Sequence, residues 1–547
     1  MNIRGGRNIK QNFNLWGALS AFFAVLIILP NVDLFSNLFT QPNENWYHIK
    51  TYLLQDYITN TLVIVGFTGV LTVLLGSGLA WLISAYDFPG RKMLSWAFIL
   101  PLTIPPYIAA YTYNGMLNYT GVVQKLLRNV LGVQVNPKWF DIMNIQGAVF
   151  IFTVFLFPYV YTVTRAFLAN QSASLIENAR LLGKNSFEIF VQVVLPISRG
   201  AILGGMTLVI FEVLNDYGVV SFFGVQTFST AIFKAWFSMG DIDTAVKLSG
   251  VLMTIVISVI LFEKGLRGRR KYGFTTTKLR PIVRIPLRGI KGFLVSFMGF
   301  MVLGLGFIIP VLQLLAWSSL TYKKVLNGAF LKLLVNSIGV ALIGALIILV
   351  ISVIIANFSR VQETWVAKLF PKVSLIGYSI PGAVLSMGVI LFFVDFDRKL
   401  EGFYKALNPD TITLVLSSSI VMLIFAYSIR FLAVGYQTIE AGFDKVGKKF
   451  FEASRLLGNG VTQTFLRVDL PMIKPAVVSA LALTFVDIVK ELPLTLILRP
   501  YNFNTLATKT YEYATDEMIH EAAIPALLII LVSIGSVYLL NKLGDKE

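Results

Sequence analysis

Five ionisable residues stand in stretches that are otherwise strongly apolar: Glu212 and Asp216, then Asp487, Lys490 and Glu491. Each acidic pair is spaced four apart, so on a helix its two carboxylates share one face. Carboxylates are hard oxygen donors, suited to cations rather than to oxyanions. Four acids against Lys490 disfavour a pathway for a pure anion. A structural role is equally open: pairing with Lys490 or Arg430, or capping a broken helix. Other chemistries have little to work with. The chain has no cysteine and only two histidines, His48 and His520. No thiolate or histidine-rich metal site, no Ser-His-Asp set and no resident cofactor is expected.

The setting of these charges explains why they matter. Of 547 residues, 56% are apolar and 14% charged, with mean hydropathy +0.73. A soluble protein carries about 25% charged residues, so this chain cannot cover a globular surface. Disorder, collagen and a nucleic-acid-binding domain are excluded, and a polytopic all-α membrane protein remains. A span needs about 20 mostly apolar residues. Twelve stretches qualify, near 14–36, 60–86, 94–114, 145–167, 200–223, 247–265, 291–318, 333–358, 372–396, 412–435, 475–498 and 522–542. The third and ninth are interrupted by Pro101, Pro105 and Pro106, and by Pro371 and Pro381. These runs are continuous rather than alternating, which excludes a β-barrel. Within them a charge costs at least about 2.5–3.5 kcal/mol, so the five residues must be buried in protein or line a wet cavity.

Arg4, Arg7 and Lys10 followed by an apolar run resemble a signal peptide. No small-residue cleavage site follows, so the run is expected to be a retained first helix. A cytoplasmic N-terminus places most of the 46 basic residues on the cytoplasmic side, and with it the C-terminus. The link from Lys264 to Lys291 holds ten basic residues and no acid. That is a topology anchor facing anionic lipid, and it requires no nucleic-acid partner.

The chain also repeats itself. Glu177–Pro196 (ENARLLGKNSFEIFVQVVLP) and Glu452–Pro471 (EASRLLGNGVTQTFLRVDLP) match at nine of twenty positions without a gap, 275 residues apart. At the same offset Glu212 and Asp216 meet Asp487 and Glu491, and Thr227–Thr230 meets Asn502–Thr505. One residue further, Asn60 meets Asn336 and Pro105 meets Pro381. The organisation expected is a first repeat over 1–265, a basic cytoplasmic linker over 266–290 and a second repeat over 291–547. Six spans per half give both halves the same orientation, making parallel repeats with a pathway between them.

The repeated segment is too polar to span and lies between the fourth and fifth span of each half. Leu181, Leu182, Leu456 and Leu457 give it an apolar patch. Gly183 and Gly458 permit a sharp turn between two short helices, and Pro196 and Pro471 stand where the next span begins. One reading is an amphipathic helix on the membrane surface. Two near-copies argue instead for a docking element.

The pattern E-x-x-x-x-x-G followed by L-P resembles the EAA loop of ABC-importer permeases, in which this loop is the coupling helix seated on the ATPase subunit. Glu177, Leu182, Gly183 and Pro196, with Glu452, Leu457, Gly458 and Pro471, stand at the motif positions. The alanine pair is imperfect, Asn178-Ala179 and Ala453-Ser454. The resemblance covers nearly the whole chain and is to the fused, two-repeat ferric-iron type. Asn215–Gly218, Thr227–Thr230, Lys490–Thr495, Leu498–Pro500 and Thr505–Thr508 resemble segments of those permeases. It implies an inner-membrane permease subunit for iron(III), without its own catalytic site. Its partners are a periplasmic binding protein and two ATPase subunits, a homodimer because both loops read alike. No G-x-x-x-x-G-K-[ST] phosphate loop occurs, and Gly183-Lys184-Asn185-Ser186 is the nearest approach. Thiamine permeases are similar fused chains. A twelve-span secondary transporter would explain the composition and the symmetry but not the twin loops. A channel or membrane enzyme would need a polar stripe or a catalytic set that is not visible.

Overall fold

The computed structural model describes residues 15–133, 136–169, 174–267, 282–362, 364–408 and 414–544. Arg4, Arg7 and Lys10, and Arg269, Arg270, Lys271, Lys278 and Arg280 of the basic link, lie outside the described residues. Among the described residues, eight helices are long and apolar enough to cross a membrane, three bent pairs of helices are so when taken together, and a shorter apolar helix covers Ala523–Leu539. Each falls on one of the twelve expected stretches.

Two of the three bends follow from proline chemistry. Arg91–Thr103 and Pro106–Asn129 meet at 92°, and Leu369–Ser379 and Gly382–Leu407 at 112°. A residue before proline is pushed to extended backbone. Ile104 (ψ 111°) and Ile380 (ψ 124°) are extended for that reason. Some boundaries differ from expectation. The ninth span runs on to Leu407, beyond 396, and the tenth is Ile420–Val446 rather than 412–435. Both extensions carry charged residues on exposed faces, which average hydropathy does not register as helix.

The fifth span of each half differs more. It is not one helix over 200–223 or 475–498. Leu195–Asn215 ends at Asp216 and a short helix, Gly218–Phe222, follows. Lys474–Lys490 ends at Glu491 and Pro493–Leu498 follows.

The halves are interleaved rather than side by side. The first span, Leu15–Asn37, packs against Gly382–Leu407 and Gly328–Val361 of the second half. A Cβ at Gly388 would lie 2.6 Å from the Pro30 carbonyl oxygen, so only glycine permits this approach. The seventh span, Gly289–Val325, returns the exchange against the first half. A Cβ at Gly306 would lie 2.8 Å from Pro101 Cγ. The end of the basic link is tied back by a two-residue parallel pairing, Tyr86–Asp87 with Ile285–Pro286.

Candidate functional site

Two regions collect the residues that the sequence singles out. The first is the repeated loop. Helix Ser174–Leu181 stops at Gly183 (φ +78°), and helix Lys449–Leu456 stops at Gly458 (φ +87°). Both ends close alike. Gly183 N–H donates to Arg180 O (3.0 Å) and Lys184 N–H to Ala179 O (3.1 Å). Gly458 N–H donates to Arg455 O (3.1 Å) and Asn459 N–H to Ser454 O (3.3 Å). This is a glycine C-terminal cap, which needs positive φ. The following helix starts with a side-chain cap in both copies. Asn185 and Glu188 bond reciprocally at 2.9 Å, and Gly460 N–H donates to Gln463 Oε1 at 3.1 Å. A π-type turn then leads into the next span, over Phe190–Val194 and Phe465–Asp469, with Pro196 and Pro471 just beyond.

The turn presents apolar side chains to solvent. Leu181, Leu182, Leu456 and Leu457 are 82–89% exposed. Glu452 and Ala453 are exposed as well, and Glu177 is half-buried. The register of the alanine pair is clarified here. The inward position is Ala179 in one copy and Ser454 in the other, where Ser454 shares a hydrogen bond with Thr464 (3.0 Å). Ala453 faces outward, as does Asn178 at the equivalent position of the first copy.

The second region is a cavity of about 110 Å³ between the halves. Glu212, Asp216, Asp487, Lys490 and Glu491 all line it, together with Arg430. Asp216 and Glu491 do not sit on the face of an unbroken helix as their spacing predicts. Each ends its helix and accepts from the start of the next: Val219 N–H to Asp216 Oδ1 at 2.8 Å, Leu494 N–H to Glu491 Oε1 at 3.1 Å. A carboxylate there satisfies backbone donors that a helix start leaves open. Glu491 also lies 3.4 Å from Arg430, and Asp487 3.5 Å from Lys490. Arg430 donates to Ile380 O (2.8 Å) at the proline break. Asn215 accepts from Gly382 N–H (2.6 Å), closing the interface between halves at that same break. Four carboxylates thus face two cations, a formal excess of two negative charges.

The sequence reading did not single out three phenols lining this cavity, Tyr107, Tyr159 and Tyr378. Their position beside Pro106 and before Pro381 was the available signal for two of them, since the proline breaks are what open the interface. The repeat register also needs one correction. Thr227–Thr230 corresponds to Thr505–Thr508, not to Asn502–Thr505. Thr227 N–H donates to Thr230 Oγ1 and Thr505 N–H to Thr508 Oγ1, both at 2.8 Å. The next amides, of Phe228 and Leu506, reach Thr61 and Ser337 in turn (3.4 and 2.7 Å). The second half therefore carries three extra residues in the preceding loop, where Tyr501 is fully exposed.

Comparison with known proteins gives this geometry a family. Residues 72–262 and 348–546 each match the binding-protein-dependent transport system inner membrane component. The first span of each half lies outside the matched stretches. The Fe(3+)-transport system permease protein FbpB 2 of Haemophilus influenzae is 26% identical over 499 residues, covering 90% of both chains. The ferric transport system permease protein FbpB of Actinobacillus pleuropneumoniae is 22% identical over 502 residues, covering 86% of this chain and 69% of its own. The molybdenum transport system permease protein ModB of Haemophilus influenzae is 26% identical over 187 residues, covering 33% of this chain and 78% of its own. Two matched stretches in one chain also set aside a secondary transporter as the source of the symmetry. The chain belongs to the family of binding-protein-dependent transport system inner membrane components, and carries two copies of it in an all-α membrane fold.

Proposed function

We propose that the chain is the permease of an ATP-driven importer for iron(III), taking its cargo from a periplasmic binding protein. Two copies of one ATPase dock on the loops Glu177–Pro196 and Glu452–Pro471. The observation that carries the coupling role is the pair of glycine-capped turns with near-fully exposed leucines. Such side chains are normally covered, and two like surfaces suit two like partners. ATP hydrolysis belongs to those partners, and this chain supplies the path. The acid-rich cavity between the halves is part of that path. Its two net negative charges suit a hard cation, in keeping with the ferric relatives. The units are 1–265, the cytoplasmic linker 266–290, and 291–547.

The cargo is tested in proteoliposomes holding the permease, its ATPase and its binding protein. Radio-iron(III) is expected to accumulate only with ATP. Accumulation of molybdate or thiamine in place of iron would overturn the cargo assignment.

Orientation has its own test. In this cysteine-free chain a cysteine at Ser186, in the exposed loop, is expected to react with an impermeant thiol reagent only after the cells are opened. One at Asn118 is expected to react from outside. Labelling of position 186 in intact cells would refute both the cytoplasmic loops and the cytoplasmic termini.

A further inference from the structure

The cavity's acids are only part of its oxygen chemistry. Tyr378 donates from its hydroxyl to Glu212 Oε1 at 3.2 Å. Tyr159 lies beside both and lines the same cavity. Tyr107 is 4% exposed, lines the cavity next to Asp216 and Glu491, and its hydroxyl has no hydrogen-bond partner. A buried hydroxyl left unpaired costs about 1–3 kcal/mol. Packing alone gives no return for that cost, since phenylalanine would fill the same space. No sulfur or imidazole lines the cavity among the described residues. The donors are phenol, carboxylate and amide oxygens, which prefer hard cations of high charge.

The geometry points to a transit site for a hard trivalent cation, in which the phenol oxygens of Tyr107, Tyr159 and Tyr378 join the carboxylate of Glu212 as ligands. This rests on the cation-import reading above and adds the groups that meet the ion. The cavity holds several waters' worth of space, which suits a small aquated ion rather than one wrapped in an organic chelator. An aquated trivalent ion at neutral pH carries hydroxide. Each phenol that binds exchanges for one hydroxide, and the phenol proton leaves with that hydroxide as water. Charge and protons then balance without an added acid or base. Arg430 and Lys490 hold Glu491 and Asp487 in ion pairs, so the phenols, Glu212 and Asp216 are the donors that need not first give up a cation.

The test uses the purified permease with its ATPase, titrated with ferric nitrilotriacetate. A visible phenolate-to-iron(III) charge-transfer absorption is expected, lowered in Tyr378→Phe or Tyr159→Phe and lowered further, to what Tyr107 alone supplies, in the double variant. Tyr107→Phe removes a hydroxyl that has no partner to lose, so its thermal midpoint is expected to hold while its absorption falls. It keeps the test decisive where the double variant fails to fold. Tyr322→Phe, outside the cavity, is expected to leave the absorption unchanged. No absorption in the wild type, or an absorption unmoved by the three cavity variants, would overturn the site. Parallel radio-iron uptake separates the two readings. Uptake without the absorption removes the ligand site and leaves the cargo, and loss of both removes both.

Discussion

Glutamate at both Gly183 and Gly458 is expected to abolish ATP-driven uptake while the permease still reaches the membrane. Both residues hold positive φ, +78° and +87°, where an L side chain costs about 1–2 kcal/mol. There is open space around each position, with nothing within 4 Å of a Cβ, so the damage is not a clash. The strain falls on the turn that presents Leu181 and Leu182, or Leu456 and Leu457. A new carboxylate beside those leucines also sets charge against any apolar surface that covers them. Insertion depends on the spans and is expected to be untouched. One substitution alone is expected to leave partial uptake, because the other dock remains. Glycine to alanine at both positions supplies the φ cost without the charge and is expected to fall between. The measurement is uptake and ATPase co-purification, each normalised to permease in the membrane fraction. Normal values for the double variant would remove the coupling role from these loops.

Arg360→Ala is expected to lower folded permease more than any of the tyrosine-to-phenylalanine changes in the cavity. Arg360, at the end of Gly328–Val361, pairs with Asp469 at 2.9 Å, and Asp469 is fully buried in the turn leading out of the second loop. Arg360 also donates to Gly447 O at 2.7 Å and lies over the Phe443 ring at 4.6 Å. Removing the arginine leaves a buried carboxylate unpaired, at a cost of about 3–5 kcal/mol. The first half supplies the control. By the repeat, Asp469 corresponds to Val194, which is buried and apolar, and Arg360 to Ser84. Arg360→Ser with Asp469→Val installs the first half's solution in the second. It is expected to recover most of the abundance and thermal midpoint lost by Arg360→Ala. A double variant as unstable as the single one would show that the pair contributes through something other than charge compensation.

The loop helices could be read from the sequence, because the turn depends on a local glycine and occurs twice at one offset. The span positions were legible for a similar reason, since each needs a continuous apolar run. The break at Glu491 leaves a trace in Pro493, but its counterpart at position 218 is glycine, and there the helix ends at Asp216 without a proline. The register of Thr227 was misread because NFNT shares Phe and Thr with TFST, whereas the cap geometry selects TLAT three residues on. The Arg360–Asp469 pair and Tyr159 were not legible at all, and Tyr107 and Tyr378 only through the neighbouring Pro106 and Pro381. Their partners lie on different spans, and the other half has no equivalent to mark them.

The exchange of first spans bears on how the molecule is made. Leu15–Asn37 emerges from the ribosome before the other described spans. The helix that finally covers its inner face, Gly382–Leu407, appears only after most of the first half, the basic link and two more spans have been synthesised. That face is Gly17, Ser20, Ala24, Ile27, Pro30 and Leu34, small and almost wholly apolar, so lipid tails can cover it during the wait at little cost. The seventh span, by contrast, meets a first half that already exists. Maturation of the two halves is therefore sequential and unequal: the early half is held open until the late half closes it, and a chain halted at the link would keep a lipid-filled groove where its second half belongs.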